Sequence, residues 1–222
     1  MSQIILDFGS GNTCRNDPNI IKRMIDEIVK IDTKKHSIVL KWQLFERAGE
    51  NKPLDHSVFR MAYYYAEKHG YKTTASVFDL SSLRYLLKFN IPFVKIANNR
   101  LLDWLIGEVP RKIPVYVSVG NIDDYITYTR EGIEAIACVS KYPATLKDYE
   151  NTYKSSLGCE LQGGCVSDHT VGLELFKKYQ PEIFEKHYKL SDSTGLDAGP
   201  FAITPEELRE IIGEKVMDID RY

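Results

Sequence analysis

The chain has 222 residues, 43% of them hydrophobic and 27% charged, which is enough to bury a full core, and its net charge of −2 offers no basic field to a nucleic-acid backbone. No apolar run approaches the ~20 residues of a membrane helix, and "MSQIILDFGSGNTC" at the N-terminus has neither a basic region nor a long apolar stretch. A signal peptide, a membrane partner and a nucleic-acid partner are therefore unexpected, a cytoplasmic location is expected, and Cys14, Cys138, Cys159 and Cys165, with no CxxC pair, are expected as reduced thiols.

Along the chain, short β-branched runs alternate with amphipathic ones. The strand "IILDFG" is followed by the helical pattern "NIIKRMIDEIVKI", "SIVLKWQLF" by "HSVFRMAYYYAEKHG", and "YKTTASVF" by "LSSLRYLLKFN". Next come "PFVKIAN" with "RLLDWLIGEV", "PVYVSVG" with "IDDYITYTREG", and "IEAIACVS" with "LKDYENTYKSS". The last two pairs are "ELQGGCVSD" with "GLELFKKYQ", and "EIFEKHYKL" with "TPEELREIIGEKVMDI". Eight strands in strict alternation with eight helices predict an α/β fold, a parallel sheet closed into a (β/α)8 TIM barrel. No Pro/Gly/Ser-rich linker divides the chain, so residues 1–222 are expected to form a single domain. The helix after "SKYPA" is the weakest of the eight and reads equally well as a short turn.

Period-two alternation places the polar residues. In "SIVLKWQLF", Ile38, Leu40, Trp42 and Leu44 share the face expected against the helices, and Lys41 and Gln43 share the face expected inside the barrel. In "PFVKIAN", Lys95 falls opposite Val94 and Ile96. Inward lysines on two strands require an anion, either a phosphate or carboxylate ligand at the mouth or a neighbouring carboxylate of the chain itself. Ser167 shares a face with His169 in "CVSDHT", as does Glu185 with His187 in "EIFEKHY". On neighbouring strands these imidazoles suit a divalent first-row metal, although a lone histidine is more often structural. His36, His56 and His69 lie in helix or loop patterns and carry no functional expectation.

These segments resemble the catalytic barrel of the sialic acid (N-acetylneuraminate) synthase family. The carriers are "LKWQLF", "ASVFDLSSL", "VKIA", "CVSKYPA", "VSDHTVGLELF", "FEKHYKL" and "GLDAGPFAITPEEL", in the family's order along nearly the whole chain. The resemblance implies condensation of phosphoenolpyruvate with an N-acylated amino sugar. It implies Mn2+ or Mg2+ on His169 and His187, which would polarise the aldehyde of the open-chain sugar. It also implies a phosphoenolpyruvate pocket lined by Lys41, Ser76, Lys95, Ser118, Ser140 and Ser167. Tyr142 is implied beneath or against the substrate, and Gln43, Lys186, Asp7 and Arg100 are further expected contacts. Lys95, Glu185 and Asp197 are the expected catalytic groups, with either carboxylate able to serve as general base.

Departures from the family's pattern fall on the sugar side. The first strand ends "DFGSGNTC", with Asp7 in place of a glutamate and no Asn-His pair, and "KIANNR" puts Asn98 and Arg100 where the family has serine and glutamate. The acceptor is therefore open: N-acetylmannosamine is expected to be a poor substrate, and Arg100 raises the option of an anionic one. The family's C-terminal antifreeze-like domain is not expected after "EELREIIGEKVMDIDRY", and a homodimer is an option. A barrel enzyme of aldolase type, or a binding barrel without turnover, are the alternatives.

Overall fold

The computed structural model describes residues 2–32, 37–47, 49–155, 158–159 and 161–212. His36, Ser156, Glu160 and the end of the last expected helix, from residue 213, lie outside the described residues.

Eight parallel strands close into a barrel: β1 (Gln3–Asp7), β2 (Ile38–Leu44), β3 (Lys72–Val77), β4 (Val94–Ile96), β5 (Val115–Val119), β6 (Glu134–Cys138), β7 (Cys165–Asp168) and β8 (Ile183–His187). Each strand pairs with its neighbours in sequence, and β8 returns to β1 with Asp7 opposite His187. The helices that alternate with the strands are α1 (Pro18–Ile31), α2 (His56–Lys68), α3 (Leu80–Leu86), α4 (Trp104–Glu108), α5 (Ile122–Arg130), α6 (Leu146–Tyr153), α7 (Glu174–Tyr179) and α8 (Pro205–Ile212), and a one-turn helix, Gly11–Cys14, precedes α1. The expected (β/α)8 barrel is the observed fold.

Local chemistry explains the elements. In α1, the Asp17 carboxylate accepts from the Asn19 amide at 2.8 Å and Pro18 opens the helix, while Ile21, Met24, Ile25, Ile28 and Ile31 form a fully buried stripe. Each such isoleucine is worth roughly 1.5–3 kcal/mol of burial. Several elements are shorter than expected, and two of them show why. "RLLDWLIGEV" divides into a 3-10 turn at Arg100–Leu102, capped by Asn99, and α4. Among the described residues of the expected strand 160–168, those from 161 on, the barrel strand is Cys165–Asp168, because Gly163 turns the chain with φ at +66° just before it. A two-stranded antiparallel pair, Lys154–Ser155 with Gly158–Cys159, lies outside the barrel sheet and has no counterpart in the sequence expectations.

The barrel interior is layered. Ile5, Val39, Phe93, Ile136, Cys165 and Ile183 form an apolar floor, with Tyr116 stacked on Phe93 at 4.0 Å. The next inward positions along the strands are polar: Asp7, Lys41, Ser76, Lys95, Ser118, Ser167 and Glu185, all buried. The chemistry therefore sits on a closed floor and opens only toward the C-terminal strand ends. Cys14, Cys138 and Cys165 are buried free thiols, and no helix among the described residues is long and apolar enough to cross a membrane.

Candidate active site

A cavity of about 460 Å³ opens at the C-terminal mouth of the barrel. Of the expected residues, Asp7, Lys41, Gln43, Ser76, Lys95, Ser118, Ser140, Tyr142, Ser167, His169, Glu185, His187 and Asp197 all line it. Because the strands alternate, successive inward positions deliver this set in tiers. Asp7, Lys41, Ser76, Lys95, Ser118, Ser167 and Glu185 lie below, with Gln43 and His187 one inward step above and His169, Ser140, Tyr142 and Asp197 from the loops at the rim.

The lysines meet carboxylates of the chain itself. Lys41 Nζ lies 2.7 Å from Asp7 Oδ2 and 3.7 Å from Glu185 Oε1, and donates to Ser76 Oγ at 3.0 Å. Lys95 Nζ donates to Ser118 Oγ and stands 3.6 Å from Glu185 Oε2. Ser167 Oγ donates to Glu185 Oε1 at 2.9 Å, whereas buried Glu185 Oε2 has no hydrogen-bond partner. Burial alone would raise Asp7, but Lys41 and His187 hold it well below the usual carboxylate range. Burial likewise opposes Glu185, which Lys41 and Lys95 keep low. The two amines diverge. Burial lowers both, yet Asp7 and Glu185 return Lys41 above its ordinary value, while Lys95, with Glu185 for it and the Lys41 cation against it, stays below.

The two histidines stand together, their ring centroids 5.6 Å apart. His169 Nδ1 lies 2.7 Å from the Val139 carbonyl, which assigns the ring proton to that nitrogen and leaves Nε2 aimed inward, 3.5 Å from Ser167 Oγ. Burial, reinforced by His187, pushes His169 down to about 3, so the ring is neutral at physiological pH. His187 lies between two carboxylates: Nε2 is 3.7 Å from Asp7 Oδ2, and Nδ1, which has no hydrogen-bond partner, is 3.8 Å from Asp197 Oδ1. A neutral ring with a committed Nδ1–H and a second ring with an orphaned nitrogen are a donor set that fits a divalent ion. Among the described residues, no three His, Cys, Asp or Glu side chains form a metal cage, so the fit is to an ion that keeps most positions for water and substrate.

Asp197 is held from below. It accepts from the Ser10 amide at 3.3 Å and from Gln43 Nε2 at 3.1 Å, and the same amide nitrogen reaches Asp7 Oδ2 at 3.1 Å. Gly9 permits this: its φ is +72°, and a Cβ there would stand 2.6 Å from Asp197 Cβ. Tyr142, 54% exposed, covers His169 at 4.2 Å between ring centroids, and Phe201 meets His187 edge-on at 5.0 Å.

Two expected contacts fall elsewhere. Lys186 alternates outward from β8 and is buried behind the site, its Nζ 2.7 Å from both Asp168 Oδ2 and the Thr170 carbonyl. The period that turns Glu185 and His187 inward turns Lys186 away. Arg100 lies outside the cavity, 62% exposed in its side chain, paired with Asp103 at 3.3 Å and Asp124 at 3.4 Å and donating to Tyr128 Oη at 2.7 Å. Lining residues that sequence reasoning missed include Phe45, Asn51, Phe78, Leu196 and Phe201. They come mostly from loops and strand ends, where no periodicity marks an inward side chain.

Fold and site together define a (β/α)8 barrel with a buried, charged mouth and two imidazoles on adjacent strands. The sequence matches the pattern of the NeuB family over residues 30–219. The chain belongs to the NeuB family. Comparison with curated protein sequences finds no match. Among solved structures, the N-acetylneuraminic acid (sialic acid) synthetase of Leptospira borgpetersenii superposes with a TM-score of 0.69 at 23% identity, over 98% of this chain and 87% of that one. The spore coat polysaccharide biosynthesis protein of Bacillus subtilis gives 0.68 at 17% identity, over 96% of this chain and 66% of that one. A truncated 3-deoxy-D-arabino-heptulosonate 7-phosphate synthase of Thermotoga maritima gives 0.62 at 12% identity, over 96% and 84%. At these identities the superpositions establish the fold.

Proposed function

We propose that the protein condenses phosphoenolpyruvate with an uncharged polyhydroxy aldehyde, an N-acylated amino sugar or a related aldose. The products are a nonulosonic-type 2-keto acid and phosphate, and a divalent ion, Mn2+ or Mg2+, assists. The observation that carries this reading is the pair of buried amines, Lys41 and Lys95, set among the hydroxyls of Ser76, Ser118 and Ser167 directly below two adjacent imidazoles.

In this reading the lysines exchange part of their contact with Asp7 and Glu185 for the phosphate and carboxylate of the substrate, and the hydroxyls supply directional donors. His169 and His187 would hold the ion, whose contribution when bound is to polarise the aldehyde oxygen. Glu185, between the two lysines and with one oxygen unpartnered, faces the water that would attack carbon 2. Asp197, fixed by Ser10 and Gln43, faces the acceptor. Among the described residues the cavity has no cation beyond Lys41 and Lys95, and its outer part is Gln43, Asn51, Asp197 and apolar rings. That lining favours hydroxyls and an N-acyl group over a sugar phosphate. It replaces the option of an anionic acceptor facing Arg100.

The test is phosphate release from phosphoenolpyruvate with Mn2+ and a panel of aldoses and sugar phosphates. Release that requires both an unphosphorylated aldose and the ion is the expected result, with N-acetylmannosamine slow because Asp7 and Asn98, which line the cavity, alter the sugar side. No release with any aldehyde would refute the synthase reading. A second reading, an aldolase that works through a Schiff base, draws on the lowered pKa of Lys95. Borohydride reduction with pyruvate would trap an adduct on Lys95 under that reading alone.

A further inference from the structure

The barrel ladder is incomplete on one side of the mouth. Between β5 and β6 the register ends at Val119 opposite Ala137, and between β6 and β7 it ends at Cys138 opposite Ser167. Beyond these rungs the strands part, and backbone groups there need other partners. Two tyrosines one turn apart on α6 provide them. Tyr149 Oη donates to the Ser167 carbonyl at 2.6 Å and accepts from the His169 amide at 3.0 Å. Tyr153 Oη shares its proton between the carbonyls of Val119 and Cys138 and accepts from the Cys138 amide at 2.8 Å.

The geometry of α6 makes this possible. Thr145 and Asp148 cap its start reciprocally: the Thr145 amide donates to Asp148 Oδ2 at 2.8 Å and the Asp148 amide to Thr145 Oγ1 at 3.3 Å. A helix begun there turns positions 149 and 153 to the same face, toward the barrel. Both side chains are fully buried, so each hydroxyl is committed to the backbone it bridges.

Resting on the proposed function for what is bound, we infer that Tyr149 and Tyr153 are positioning residues with separate charges. Tyr149 fixes the backbone that carries Ser167 and His169; the Ser167 hydroxyl is held separately by Glu185 at 2.9 Å, so the group left to this clamp is the imidazole toward a metal ion. Tyr153 fixes the strand ends that carry Ser118 and, beyond Cys138, Ser140, and so the hydroxyls toward an anionic substrate. A hydroxyl serving only to satisfy the backbone would change both binding events alike when removed, or neither.

The test uses Tyr149→Phe and Tyr153→Phe in the full chain, each losing one oxygen and no ring. Mn2+ binding followed by electron paramagnetic resonance should weaken about tenfold in Tyr149→Phe, which frees the backbone of the metal ligand itself, and severalfold less in Tyr153→Phe. Phosphoenolpyruvate binding by calorimetry with a chelator present should show the reverse order. Equal losses in both variants for both ligands, or none, would overturn the division of roles. If the wild type binds neither ligand, the proposed function fails, and the clamp is judged by amide hydrogen exchange. In the wild type the His169 and Cys138 amides should exchange as slowly as the barrel core. Tyr149→Phe should speed His169 at least tenfold and leave Cys138 protected, with the converse in Tyr153→Phe. Rapid exchange of either amide in the wild type would overturn the clamp without recourse to a variant.

Discussion

Replacing Lys186 by methionine separates a structural lysine from a substrate-binding one. Its Nζ lies 2.7 Å from Asp168 Oδ2 and 2.7 Å from the Thr170 carbonyl, and both charged side chains have zero exposure. Methionine keeps most of the volume but leaves Asp168 with a buried charge whose remaining partner is the Thr170 amide on Oδ1, at 2.7 Å. Breaking one side of such a pair costs about 3–5 kcal/mol, a large share of the ~5–15 kcal/mol that holds a domain together. At a urea dependence of about 2–3 kcal/mol/M, the midpoint should fall by roughly 1–2.5 M with an unchanged slope. Asp168→Asn combined with Lys186→Met removes the stranded charge, so the double variant should be more stable than the sum of the single losses by roughly 1–3 kcal/mol. Urea unfolding followed by circular dichroism measures all of these. A midpoint shift under about 0.2 M for Lys186→Met, or strict additivity in the double variant, would refute the reasoning. A loss of phosphoenolpyruvate affinity at unchanged stability would return Lys186 to the substrate.

Lys41→Met and Lys95→Met should each weaken phosphoenolpyruvate binding by about 1.5–3 kcal/mol in calorimetry, and unchanged binding in both would remove the pocket assignment. Arg100→Ala should leave that binding and the aldose preference unchanged, since Arg100 spends its contacts on Asp103, Asp124 and Tyr128 outside the cavity. His169 carries an acid limb in stability. It titrates near 6.5 when unfolded and is pushed by burial to about 3 when folded, so between those values only the unfolded chain binds the proton. Stability attributable to it is complete above about pH 6.5 and falls by up to ~1.4 kcal/mol per unit as pH drops through that window; His169→Gln, compared in chelator by urea midpoints, should flatten the limb. Gly9→Ala should cost about 1–3 kcal/mol in the same assay, because the new methyl meets Asp197 at 2.6 Å and Gly9 holds φ at +72°; a neutral outcome would show that Asp197 moves aside freely.

The barrel was legible because period two and helix-strand alternation survive tertiary context in it. Lys41, Lys95, Ser167, His169, Glu185 and His187 face inward as their phase requires, since a strand paired on both sides cannot rotate about its axis. The same rule applied to Lys186 would have sent it outward; its expected role came from family resemblance, and its phase was the better guide. Arg100 illustrates a different limit. It stands where the strand has ended, and which way a loop arginine turns depends on carboxylates brought near by folding, here Asp103 and Asp124.

Less legible still was the helix after "SKYPA", weak by amphipathic pattern because its buried face is made by Tyr149 and Tyr153 rather than by aliphatic residues. A tyrosine scores poorly as core, yet its ring buries well and its hydroxyl reaches backbone that no aliphatic side chain can satisfy. In a closed barrel the strands must splay where a ligand enters, and every rung lost there exposes a donor and an acceptor. Substrate access therefore creates unpaired backbone beside the reactive side chains. The residues that answer that demand lie behind the strands, where neither strand phase nor a catalytic motif points, and their signal in sequence is two polar-tipped aromatics at helical spacing after a capped turn.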